Sequence, residues 1–370
     1  MAGIYVHIPF CRSRCIYCGF YSTTNLEMRQ KYVERLCDEM DERRNYLPDA
    51  VFDTIYIGGG TPSQLTPSQL IALVSHLYEV FPVSPSAEFT IEMNPDDVSA
   101  EYLENIRELP FNRVSLGIQT FSDERLRFLH RRHDSYGARK AVQLCRENGI
   151  DNISVDLMFG FPGETLEEWK SDVEAALDLG VNHISAYSLM YEEDTPLIKM
   201  LEGGEIVEIS DELSCKMYDY LCDRLSAKGY QHYEISNFCK PGFHSRHNSS
   251  YWDGTPYIGL GAGAHSFDGK ERQWNGKFKN GEWKMEGKEV LTKSNCYNEI
   301  IMTGLRTRRG ISLTALKTNY PDFFQQSECQ FINHLKNSNL VHDAETDTIR
   351  LTRQGIHISN TIMADLMIIE

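Results

Sequence analysis

Cys11, Cys15 and Cys18 fall within eight residues, in the order Cys-X3-Cys-X2-Cys. Soft thiolates crowded onto one loop select zinc, copper or an iron–sulfur cluster. A structural zinc site needs a fourth ligand to close its tetrahedron. The next cysteine, Cys37, lies inside a helical pattern. Three thiolates suit a cubic [4Fe–4S] cluster better: each holds one corner iron, and the fourth iron stays open to a second molecule. The competing reading is a disulfide with a spare thiol. Neighbours this close make poor bridges, and the chain reaches a strand by residue 4, so no secretory leader is expected. A reducing cytoplasm, the expected location, keeps thiols free. The other seven cysteines, at 37, 145, 215, 222, 239, 296 and 329, are scattered. Those within helical patterns read as small hydrophobes.

The elements that must position the triad follow from periodicity. Ile4–Ile8 reads as a strand running into the cysteine loop. Strands are expected at Thr54–Ile57, Phe89–Met93, Arg113–Ile118, Ile153–Met158 and His183–Ser188. Helical patterns lie between them, at Glu27–Tyr46, Pro67–Phe81, Ala100–Leu109, Ser135–Asn148 and Leu166–Leu179. This alternation predicts an α/β fold with parallel strands and outer helices. Polar and Gly-rich signals recur where the strands end: Gly58–Pro62, then Glu92 and Asn94, Gln119, and Asp156. That layout fits a TIM-type barrel, complete or partial, better than a doubly wound sheet.

Beyond Ser188 the pattern changes. Tyr191–Glu208 reads as a loop, Ser210–Lys228 as a helix capped by Ser210, and His232–Ile235 as a short strand. A segment rich in Gly, His, Asn and aromatics follows, and then Asn-Gly and Asp-Gly hairpin turns up to Val290. From Asn295 three helical patterns and a hairpin suggest a winged-helix-like module. The expected organisation is therefore a core over 1–235, a segment over 236–294 that completes the site, and a mainly helical module over 295–370. Winged helices often read DNA, which requires a basic face. Residues 291–370 carry eight Lys and Arg against eight Asp and Glu, and the 370-residue chain has a net charge of −16. A nucleic-acid partner is not expected. No stretch approaches the roughly 20 apolar residues of a membrane span.

Read together, five segments carry a resemblance: Tyr5–Cys11, Gly58–Pro62, Val114–Gln119, Asp156–Pro162 and Gly259–His265. With the cysteine motif and Tyr17 before its last member, they resemble the radical S-adenosylmethionine (SAM) superfamily. The branch is the one that holds the oxygen-independent coproporphyrinogen III oxidase and the heme chaperones of the HemW family. The resemblance implies that SAM binds the open iron through its amino and carboxylate groups. By position, Tyr5, Gly59, Glu92 and His265 resemble the residues around that SAM. Tyr17, Gly60, Thr61, Gln119, Arg131 and Asp156 resemble those near a second SAM in the oxidase.

Two departures separate the branch members. The oxidase carries a fourth cysteine where Phe20 stands here, and a sizeable extension before its Tyr-X-His, which begins here at Tyr5. The segment His247-Asn248-Ser-Ser-Tyr251-Trp252 matches the chaperones' signature. Imidazole is a common axial ligand for haem iron, and Tyr251 and Trp252 could pack on a flat macrocycle. The alternative is that His247 and Asn248 hold a loop by hydrogen bonds. His244, His247 and His265 lie close in sequence, so which one reaches the iron stays open. The resemblance thus implies a haem carrier that delivers haem to acceptor proteins, its cluster fed by a low-potential donor such as flavodoxin or ferredoxin. The alternative is the oxidase, which decarboxylates two propionates of coproporphyrinogen III through a 5′-deoxyadenosyl radical. A radical SAM enzyme with an unrelated substrate is the third reading.

Overall fold

The computed structural model describes residues 2–369. Six strands alternate with helices in the first half. They are β1 (Ala2–Ile8), β2 (Phe52–Gly59), β3 (Val83–Met93), β4 (Arg113–Gln119), β5 (Ile153–Phe159) and β6 (His183–Ser188). The helices between them are α1 (Arg29–Glu42), α2 (Pro67–Val80), α3 (Ala100–Asn105), α4 (Asp123–Phe128), α5 (Ser135–Glu147) and α6 (Leu166–Asp178). The sequence fixes several of these ends. Thr66 with Gln69, and Thr165 with Glu168, form reciprocal capping boxes at the starts of α2 and α6, which satisfies N–H groups the helix leaves free. β1 is buried at six of its seven positions, as a parallel strand covered on both faces should be.

β1 to β6 pair in sequence order, each parallel to the next. Their C-terminal ends therefore share one rim, the arrangement the alternation predicts. Beyond β6 the chain adds α7 (Pro196–Glu202), α8 (Asp211–Ala227), β7 (Gln231–Glu234) and β8 (Asn237–Cys239). β8 lies antiparallel against β6 and carries β7 at its outer side. The chain then crosses to the opposite edge through α9 (Arg246–Trp252). There β9 (Tyr257–Leu260) runs parallel to β1, followed by β10 (His265–Phe267), β11 (Glu271–Asn275) and β12 (Met285–Val290). The resulting twelve-stranded sheet ends at β12 and β7, which do not pair with each other among the described residues. Of the two barrel forms expected, the open, partial one is found.

Two stretches differ from the sequence reading. Tyr191–Glu208 is not all loop, because Thr195 caps α7 and Pro196 starts it. The His247–Trp252 signature is helical: it forms most of α9, with Ser245 as its cap.

The C-terminal residues build α10 (Lys293–Arg306), β13 (Ile311–Ser312), α11 (Leu313–Asn319), α12 (Pro321–Lys336), β14 (Leu340–Asp343), β15 (Thr348–Leu351), α13 (Arg353–His357) and α14 (Ser359–Leu366). The three strands form a sheet of their own, in the order β13-β15-β14. Tyr297, Ile301, Phe331, Ile349 and Ile362 belong to a core separate from that of the main sheet. No helix among the described residues is long and apolar enough to cross a membrane.

Candidate cofactor site at the rim of the sheet

Cys11, Cys15 and Cys18 stand on the loop that leaves β1, and all three are free, partly exposed thiols. Their neighbours touch them only lightly. Thr61 Oγ1 donates to Cys11 Sγ at 3.6 Å and Arg131 to Cys15 Sγ at 3.5 Å. Burial pushes the Cys11 and Cys18 thiols up; Cys11 also feels Cys18 and Cys15, and Cys18 feels Cys15. The donor set is therefore three soft sulfurs within electrostatic reach of one another and not consumed by the protein. Among the described residues no three His, Cys, Asp or Glu side chains converge on one ion. Thiols that each take a different iron of a cluster need no such convergence. The donor chemistry fits [4Fe–4S].

The loop is wired to the strand ends by a chain of hydrogen bonds. Arg131 donates to Asn94 Oδ1 at 2.9 Å and also to the Gly117 carbonyl. Asn94 donates to Thr61 Oγ1 at 3.2 Å, and Thr61 closes the chain on Cys11. Gln119 ends β4 with φ +71, and its side chain lies beside Arg131 across Gly117. Burial works against the Arg131 charge, but Tyr17 and the Cys15 and Cys11 sulfurs outweigh it and raise its pKa. Tyr17 itself is raised by burial. Thus Tyr17, Thr61, Gln119 and Arg131 come together beside the cysteine loop.

A polar belt crosses the inner face of the sheet just below. Tyr5, Tyr56, Glu92, Ser115 and Asp156 come from β1 to β5 in turn. Tyr56 donates to Glu92 Oε1 at 2.6 Å, and the Gly59 N–H to Glu92 Oε2 at 3.1 Å. Burial pushes Glu92 up to about 7, helped by Asp156 and opposed by Tyr56, Gly59 and the buried Arg113. Asp156 accepts from Ser115 Oγ at 3.2 Å and is likewise raised by burial. Gly59 has φ +111, and a Cβ there would come within 2.5 Å of the His7 ring. Gly60 is packed as tightly against the Pro9 backbone, where a Cβ would lie 2.8 Å from its carbonyl carbon. Only glycine allows the strand end to pass so close beneath the loop. Sequence reasoning missed Tyr56, Ser115 and Arg113. The available signal was strand alternation, which puts a polar residue in phase on one face of each neighbouring strand.

The remaining predicted residues lie elsewhere. His265 is exposed at the start of β10, its ring stacked on Trp274 at 5.8 Å. His247 is fully buried under β1 and β2. Its Nδ1 meets Thr54 Oγ1 at 2.9 Å and its Nε2 meets Tyr251 Oη at 2.9 Å. Burial, with Arg113 nearby, pushes its pKa down to about 3. Asn248 places its backbone N–H on the Ser245 cap. Tyr251 packs on the His247 ring and, with Trp252, lines a cleft of about 650 Å³.

The sequence pattern of the radical SAM superfamily matches residues 5–176. The chain is 33% identical over 371 residues to the heme chaperone HemW of Lactococcus lactis, covering 98% of this chain and 97% of that protein. It is 35% identical to the heme chaperone HemW of Bacillus subtilis, with 98% of each chain covered. This chain belongs to the HemW family of radical SAM proteins. Membership implies SAM and a [4Fe–4S] cluster. Among solved structures, coproporphyrinogen III oxidase (HemN) from Escherichia coli superposes with a TM-score of 0.84 at 21% identity. That match covers 99% of this chain and 90% of the oxidase, which shows a common fold.

Proposed function

We propose that this chain is a haem carrier of the cytoplasm that binds haem and passes it to acceptor proteins, with a SAM-binding [4Fe–4S] cluster at the rim of its sheet. The observation that carries this reading is the similarity to heme chaperones over 98% of the chain. Cys11, Cys15 and Cys18 would hold three irons of the cluster. Tyr5, Gly59, Glu92 and His265 would surround the SAM, His265 from the strand beyond β9. The tight strand end at Gly59 supports this, because its backbone N–H lies 3.1 Å from the Glu92 carboxylate, so backbone and acid meet at one point beneath the loop. Tyr17, Gly60, Thr61, Gln119, Arg131 and Asp156 would form a second SAM position. A cluster held by Cys11, Cys15 and Cys18 would, when reduced, make one electron available to the sulfonium of SAM; flavodoxin or ferredoxin is a suitable donor. Arg131 has a role of its own, holding positive charge against the Cys15 sulfur.

His247, Asn248, Tyr251 and Trp252 form the helix we assign to haem. By this reading residues 1–235 carry the cofactor core, 236–294 complete it, and 295–370 form an appended module without a nucleic-acid ligand. The test is a pair of anaerobic assays on reconstituted protein. Haem titration should give a saturable complex, and coproporphyrinogen III with SAM and reductant should return unchanged. Formation of protoporphyrinogen would overturn the proposal in favour of the oxidase.

A further inference from the structure

The helix that bears the chaperones' signature divides its residues between two environments. His247 faces inward, and both of its ring nitrogens are already hydrogen-bonded. Its ring is also stacked on Tyr56, with centroids 5.2 Å apart. For this imidazole to reach a metal, the helix would have to leave the sheet and orphan Thr54 and Tyr251 in a dry interior. Trp252 lies on the other side: with the outer part of Tyr251 it helps wall the cleft of about 650 Å³ between α9, β10 and the C-terminal module.

That cleft has the chemistry of a seat for a flat, dianionic macrocycle. Tyr257, Phe267 and Tyr320 continue the aromatic wall. Cys296, Ile300 and Thr303 recur at helical spacing, so one face of α10 lines the opposite side. No histidine lines the cleft, and Cys296 is its one thiol. Two donors on the lining residues have no acceptor: Trp252 Nε1 and Arg272 Nε. Buried donors without acceptors are rare, and carboxylates would meet them. The cleft's other charges are balanced, since Arg272 pairs with Glu299 at 3.0 Å and Arg309 with Asp253.

We infer that haem lies in this cleft, its carboxylates toward the unmet donors Trp252 Nε1 and Arg272 Nε, and that Cys296 rather than His247 supplies the axial ligand. This rests on the haem-carrier reading and adds where the haem sits. On ligation the Cys296 thiol gives its proton to solvent and its sulfur lone pair to ferric iron. Thiolate is an established haem ligand. His247 is then a positioning residue that holds α9 against the sheet.

The test is haem titration of the full-length protein, read by the Soret band and by electron paramagnetic resonance. The wild type should give a thiolate-type ferric spectrum. Cys296→Ala should lose that signature and bind haem at least tenfold more weakly. Ala315→Trp, which fills the cleft from an exposed position, should weaken binding while leaving the melting temperature in place. His247→Gln should lower the melting temperature but keep the thiolate spectrum. Unchanged spectra in both Cys296→Ala and Ala315→Trp would overturn the inference alone, as would loss of the iron ligand in folded His247→Gln. Failure of the wild type to bind haem would overturn the carrier reading and this inference with it.

Discussion

The cysteine loop and helix α9 both present residues that ligate metals, but they treat them in opposite ways. On the loop the sulfurs take long contacts, at 3.5 Å from Arg131 and 3.6 Å from Thr61, and none is bonded to another sulfur. On α9 every polar atom of the His247 ring is engaged at 2.9 Å, and the ring is enclosed by Tyr5, Tyr56 and Tyr251. A donor the fold has already satisfied stabilises the fold, whereas one left free is available to a cofactor. Residue type is the same guide in both places; the unmet valence is what differs.

The largest effect that can break this contrast is at the loop. Replacing Cys11, Cys15 or Cys18 with Ala should each abolish the brown cluster absorbance, because one iron loses its only protein ligand. Cys37→Ala should leave it intact. Cluster loss in Cys37→Ala would show that the ligand set is wrongly drawn.

His247→Ala comes next and should act on stability. It leaves a cavity and two hydroxyls without partners, so about 3–5 kcal/mol is expected from urea unfolding of the apo-protein. A loss under about 1 kcal/mol would mean that the ring is not the keystone its contacts imply.

How far the two regions were legible in the sequence follows the same divide. The loop and the parallel strands could be read locally: apolar runs, capping boxes and strand-end glycines are all short-range signals. Helix α9 could not. Its buried face is the pair His247 and Tyr251, four residues apart and both polar, so no apolar period marks it. The partner of His247 on β2 is 193 residues away in sequence, which no spacing rule reaches. The signature was visible as letters, but its division between sheet and cleft required the fold. The short helix α7 was hidden in another way, since its acidic and glycine flanks outweigh the Thr195-Pro196 start.

The polar belt lies between these extremes, and pH sharpens the comparison. The Glu92 pKa is raised by burial from an ordinary 4.5 to about 7. A carboxyl raised on folding favours the protonated native state. Its contribution is complete below about pH 4.5 and is lost as pH climbs through about 7. The apo-protein should therefore lose on the order of 2–3 kcal/mol between pH 4.5 and 7.5 on account of this group. Glu92→Gln should flatten that part of the profile. An unchanged profile would mean that Glu92 is solvated and the belt is open to water.

The smallest effect probes the saturated ring most directly. Thr54→Val keeps the shape of the side chain and removes only the hydroxyl opposite His247 Nδ1. Tyr251→Phe does the same opposite Nε2. A neutral imidazole has one donor and one acceptor, so each change strands one ring nitrogen in a dry setting at a cost of about 1–2 kcal/mol. The double variant should cost less than the sum, because a ring freed of both partners can turn toward water or another group. Thermal melts of the four proteins measure the coupling. Strict additivity would show that the two hydrogen bonds act independently and that His247 is merely packed. A coupling of about 1 kcal/mol would show that the ring is clamped as a unit, which is what keeps it from serving as a ligand.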